Sequence, residues 1–171
     1  MSPTARQIML ACGVVVSAGV MAQPTWPRVY VGDIVARAAV RASLDGAVQR
    51  LHDPDCSREL SGLRGPGGEL LGATLRQRSL DWAEYLRVIY FSEGSAESPC
   101  QRQNVLAFTA VNSRVVFICS KAFVQLRRKS IRQAEAVIIH EVLHTLGLPD
   151  RNDKDDKDQD ITEQVLRACH K

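Results

Sequence analysis

Between Ile131 and Leu146 the chain is apolar on nearly every side, and yet this stretch carries His140, Glu141 and His144. Ser130 followed three residues later by Gln133 is a capping-box signature and predicts a helix from Ile131. Ala134, Val137, Ile138, Ile139, Val142, Leu143 and Leu146 leave that helix no broad polar face. Such a helix is buried, so the other elements have to be arranged around it. Gly147 is a natural helix stop, and Pro149 keeps the helix from resuming. Burying two imidazoles and a carboxyl without partners is costly, so the three are expected to share a purpose.

Their spacing supplies one. His140-Glu141-Val142-Leu143-His144 reads HExxH. Residues four apart on a helix lie about 6 Å apart along the axis and roughly 40° around it, so both imidazoles can reach one ion. Glu141, one position on, points beside that ion and can polarise water without being a ligand. Continued through Gly147-Leu148-Pro149-Asp150, the segment reads HExxHxxGxxD.

This extended motif resembles the zincin metallopeptidases, and within them the short secreted bacterial peptidases of the snapalysin type, metzincin-like enzymes whose third ligand is Asp. The resemblance covers His140 to Asp150, with strands before the motif and a helix after it. It implies that His140, His144 and Asp150 bind one zinc ion, that Glu141 is the general base and that Gly147 turns the chain so that Asp150 returns to the metal. Glu163, on the following helix, is the rival third ligand by similarity to gluzincins. Asp150 is preferred because Gly147 and the three-residue step to Asp150 match the compact pattern. Relatives carry a Met-turn, but Met1, Met9 and Met21 all lie in the N-terminal segment. Many also use a downstream Tyr, but Tyr30, Tyr85 and Tyr90 precede the motif. Arg151 and His170 are the candidates left for stabilising an oxyanion.

Residues 1–22 read as a secretory signal peptide: Arg6 near the start, an apolar run from Ile8 to Val20, and Val20-Met21-Ala22 before a cleavage point at Gln23. The run is too short to span a membrane. Lipidation at Cys12 is the alternative, against which Met9-Leu10-Ala11 is a poor lipobox. Residues 23–171 fit a single domain. The net charge is +3, and the basic residues are scattered, which gives no case for a nucleic-acid partner. Arg127-Arg128-Lys129 reads as a solvated loop. Cys56, Cys100, Cys119 and Cys169 are expected to form two disulfides in an exported, secreted or periplasmic protein. Of three connectivities, Cys100–Cys119 with Cys56–Cys169 is preferred.

Elsewhere, Asp33 is expected to cap a helix from Ile34 to Leu51, with His52 at its end and Asp53-Pro54-Asp55 terminating it. Residues 57–72 read as a loop around Gly65-Pro66-Gly67-Gly68. Asp81 with Glu84 starts a second helix, in which Trp82, Tyr85, Leu86, Ile89 and Tyr90 recur at helical spacing. Residues 92–99 are expected to be loop. Val105–Val111 and Val115–Cys119 read as a central hairpin turning at Asn112-Ser113-Arg114. The acidic run after the motif reads as a solvated loop. Asp156, Asp158 and Asp160 have the alternation of a weak Ca2+ site, but Ile161 stands where an EF-hand loop needs Gly. Asp160 with Glu163 caps a last helix through Ala168.

The chain is therefore expected to be an α+β domain with a small sheet packed on the buried HExxH helix. Its expected function is a secreted zinc endopeptidase acting on peptide or protein, a monomer without a membrane span. The alternatives are a catalytically inert metal-binding domain that binds a peptide or envelope partner, and a hydrolase of a non-peptide amide.

Overall fold

Asp33 begins the first long element of the computed structural model, which describes residues 27–150 and 161–170. Its carboxylate accepts from the Ala36 amide at 2.7 Å. The helix it caps, α1, spans Ile34–Leu51 and buries Ala36, Val40, Leu44, Ala47 and Leu51. That three-and-four spacing is one face of a helix. The face packs against α5 (Ser120–Lys129) and α6 (Ile131–Thr145). At Gly46 an added Cβ would stand 2.0 Å from Glu135 Oε1, so a larger residue there would displace the Glu135 side chain. The Glu135 carboxylate, buried between the helices, accepts from Arg50 Nε at 2.7 Å.

Four strands lie beside these helices: β1 (Arg28–Tyr30), β2 (Tyr90–Glu93), β3 (Ala107–Phe108) and β4 (Val115–Ile118). They form one sheet in the order β1-β2-β4-β3, with β1, β2 and β4 parallel and β3 antiparallel at an edge. Phe91, Ala107, Val116 and Ile118 are buried in the core shared with the helices. The expected hairpin is present as β3 and β4, with Ala107 opposite Ile118 and a left-handed Asn112 (φ 65°) in the turn. It is half of a mixed sheet and not the whole of it. The fold class is α+β, with seven α-helices and this four-stranded sheet among the described residues.

Several local expectations are corrected. Asp53-Pro54 ends α1 but also starts α2 (Pro54–Ser61). The Asp53 carboxylate caps the amides of Asp55 and Cys56, and Pro54 occupies the first turn, where its missing N–H costs nothing. The loop expected over residues 57–72 is shortened at both ends, because α2 runs through Ser61 and α3 (Leu71–Gln77) follows the Gly-rich turn. The Asp81–Glu84 capping box is formed at both ends, but its helix α4 stops at Arg87, and Tyr90 begins a strand. Phe91 is the one fully buried residue of β2 between its parallel neighbours β1 and β4, and a four-residue strand of this kind shows too few residues to betray its period. Arg127, Arg128 and Lys129 are the last turn of α5, where positive charge suits the helix dipole.

The preferred disulfides, Cys56–Cys169 and Cys100–Cys119, are both formed. The first staples α7 (Ile161–Ala168) to α2. No described helix is long and apolar enough to cross a membrane. The signal-peptide reading of residues 1–22, Cys12, Arg151, and the Asp156, Asp158 and Asp160 site all lie outside the described residues.

Candidate metal centre

The site is built by the end of α6. Ser130 Oγ accepts from the Gln133 amide and fixes its start. Ala134 and Val137 through Ile139 are buried, as are Val142 and Leu143, so the helix has no freedom to roll. Its last carbonyls have no partner within the helix. Tyr85 meets one of them, donating its O–H to the Thr145 carbonyl at 3.0 Å. The Gly147 amide donates to the His144 carbonyl and the Leu148 amide to that of Leu143, the paired bonds of a Schellman stop. That stop needs a left-handed residue, and Gly147 has φ +107°.

The reversal sets the second histidine. It places the Leu148 carbonyl 2.6 Å from His144 Nδ1. A carbonyl only accepts, so Nδ1 carries the proton and the Nε2 lone pair is left to face outward. His140 is held similarly, with Nδ1 2.9 Å from Thr162 Oγ1 on α7. The two Nε2 atoms then face each other at 2.9 Å, with the rings inclined at 78°. The Asp150 carboxylate completes the group, with Oδ1 3.3 Å from His144 Nε2 and 3.7 Å from His140 Nε2. Three atoms bound at about 2.0–2.1 Å to a tetrahedral ion would sit roughly 3.3 Å apart, so these separations bracket that geometry. His140, His144 and Asp150 are the one group of three or more such side chains among the described residues that can hold a metal ion.

Glu141, next to His140 in the chain, feels the charge of Asp150. Its side chain is buried, and Oε2 has no hydrogen-bond partner. Burial, and secondly the charge of Asp150, push its carboxyl from 4.5 up to about 8. A buried carboxyl oxygen without a partner, on the residue next to His140, is a polar group that a bound cation or its water could satisfy. Two imidazole nitrogens with one carboxylate suit zinc or a neighbouring transition metal. Asp150 has 71% of its side chain exposed, so the group opens to solvent on that side and keeps room for a further ligand.

The other sequence candidates lie elsewhere. Glu163 is exposed on α7 and does not join the group; its neighbour Thr162 is the residue that reaches His140. His52 is the C-cap of α1. His170 is exposed, with Nδ1 on the Arg167 carbonyl. The Tyr85 hydroxyl is spent on Thr145, and that of Tyr90 accepts from Arg28. Thr162 and the Leu148 carbonyl were missed by sequence reasoning. The second follows from Gly147 ending the helix; nothing in the sequence ties position 162 to position 140. No family model, no curated protein and no solved structure matches the chain.

Proposed function

We propose that the protein is a secreted zinc-dependent endopeptidase of zincin-like design, with His140, His144 and Asp150 as ligands and Glu141 as general base. The observation that carries the reading is the convergence of three ligand atoms, together with the buried, partnerless Oε2 of Glu141, the residue that follows His140. A zinc ion held by His140, His144 and Asp150 would supply Lewis acidity, the means to make water a nucleophile near neutral pH and to polarise a carbonyl. The chain's residues do the rest. The charge of an ion held by the group would favour the ionised form of Glu141, against the burial that raises its pKa. Ionised, its Oε2 accepts a proton from the attacking water as the new C–O bond forms. It then delivers that proton to the amine nitrogen as the C–N bond breaks. The leaving group departs neutral, and Glu141 is restored.

β3 supports a peptide substrate. It is an edge strand and it packs on α6. Its open backbone groups can pair with an extended peptide and align it across the metal group. The two disulfides are consistent with an exported protein.

One observation favours a second reading, an inert metal-binding domain: no tyrosine hydroxyl joins the group, since Tyr85 and Tyr90 are engaged elsewhere and Tyr30 stacks on Tyr90. The test is digestion of casein by zinc-loaded protein and by Glu141→Ala at equal metal content. Cleavage by the wild type alone supports the peptidase. Metal binding without cleavage of casein or of any peptide in a substrate panel supports the inert domain, and cleavage confined to non-peptide amides supports the third alternative.

A further inference from the structure

The two histidines are held by very different partners. His144 rests on the Leu148 carbonyl, a part of its own helix stop. His140 rests on Thr162, which is 22 residues away and belongs to another helix. For Nε2 of a neutral imidazole to offer its lone pair, Nδ1 must carry the proton. An acceptor at Nδ1 selects that tautomer and fixes the plane of the ring. The Thr162 hydroxyl, 2.9 Å from His140 Nδ1, can serve as such an acceptor.

We propose that Thr162 is the positioning residue of the metal centre, and that α7 is the arm that delivers it. The inference rests on the ligand assignment made above. An eight-residue helix has little stability of its own, so the arm must be held from outside. Ile161 and Val165, on either side of Thr162 along the helix, are buried in the core. Arg132 donates to the Leu166 carbonyl. Arg50, already paired with Glu135 on α6, donates to the Cys169 carbonyl at 2.7 Å. Cys169 itself is bonded to Cys56 on α2. Each tie acts within one or two turns of Thr162, and together they set where its hydroxyl stands relative to His140.

The test is zinc affinity by chelator competition, with the visible spectrum of the cobalt-substituted protein as a second readout of ligand geometry. It uses the whole chain as wild type, Thr162→Val and Thr162→Ser. Valine keeps the size and branching of threonine but accepts no hydrogen bond; serine keeps the hydroxyl. Loss of an outer partner of this kind costs about 10- to 100-fold in metal affinity. The expected result is that loss, with an altered cobalt spectrum, in Thr162→Val and wild-type behaviour in Thr162→Ser. Wild-type affinity in Thr162→Val overturns the proposal, and so does an equal loss in both variants, which would assign the effect to the methyl group. If wild type takes up no zinc, the ligand assignment falls. The positioning role is then decided by crystals of metal-free Thr162→Val: a turned His140 ring supports it and an unmoved ring overturns it.

Discussion

His144 Nδ1 and the Leu148 carbonyl oxygen lie 2.6 Å apart, so the turn that ends α6 also orients one of its two histidines. The shared cause is Gly147. Its φ of +107° is strained for any residue with a side chain, and an added Cβ would stand 3.0 Å from Asn112 Oδ1. Gly147→Ala is expected to destabilise the fold by about 1–2 kcal/mol from the backbone alone. Because the Leu148 carbonyl moves with the turn, zinc affinity is expected to fall as well. Urea denaturation with a parallel zinc titration checks both; an unchanged affinity would detach the turn from the ligand.

Glu141 gives a pH signature. Its carboxyl is raised from 4.5 to about 8 in the folded protein, by burial first and by Asp150 second. The fold therefore favours the protonated form. That contribution is fully present below about pH 4.5, falls as pH rises and is lost as pH passes about 8. The metal-free protein should lose a few kcal/mol of stability across this window, on the order expected for a shift of this size. Glu141→Gln, which cannot ionise, should remove most of the slope and be the more stable protein at pH 8. Denaturation of chelator-treated samples at pH 5 and pH 8 is the check, and parallel slopes in the two proteins would contradict it.

Arg50 and Glu135 link α1 to α6 with little exposure of either side chain. Arg50→Ala would leave the Glu135 carboxylate buried without its partner and remove a donor from the Cys169 carbonyl. A broken buried pair costs about 3–5 kcal/mol, and the residual exposure here places the expectation at the lower end of that range. The double variant Arg50→Met with Glu135→Leu should recover much of the loss, because no unpaired charge remains. Thermal unfolding of the two proteins separates these outcomes.

Cys56 and Cys169 are 113 residues apart, so their bond closes a long loop. Replacing both with Ala is expected to cost several kcal/mol, up to ~5 in the chain-entropy account. It should also loosen α7 and weaken zinc binding through Thr162. Replacing Cys100 and Cys119, which are 19 apart and off α7, should lower stability with less effect on zinc. Equal zinc affinities in wild type and in the Cys56–Cys169 variant would show that α7 needs no staple.

The sequence was most legible where local chemistry decides the outcome. Asp33, Asp81 and Ser130 each accept from the amide they were expected to cap, because a cap is settled within four residues. His140, His144 and Asp150 come together because helix pitch and one glycine turn determine their spacing. It was least legible where distant residues decide. β1 and β2 are short, and their pairing is settled by parallel neighbours far along the chain, Arg28 against Tyr90 and Tyr90 against Val115. The sequence of α5 carries its basic residues in the final turn, which resembles a solvated loop until Phe123 is seen to be buried. Thr162 belongs to this second class: its hydroxyl matters only because the fold brings α7 across α6.

The central claim is that His140, His144 and Asp150 form one metal centre. Zinc content per chain after dialysis against a weak chelator tests it most directly, in wild type and in His144→Ala, with circular dichroism to show that both remain folded. The account predicts one zinc per chain in wild type and almost none in His144→Ala. A folded wild type that retains no zinc, or a His144→Ala protein that retains a full equivalent, would contradict it.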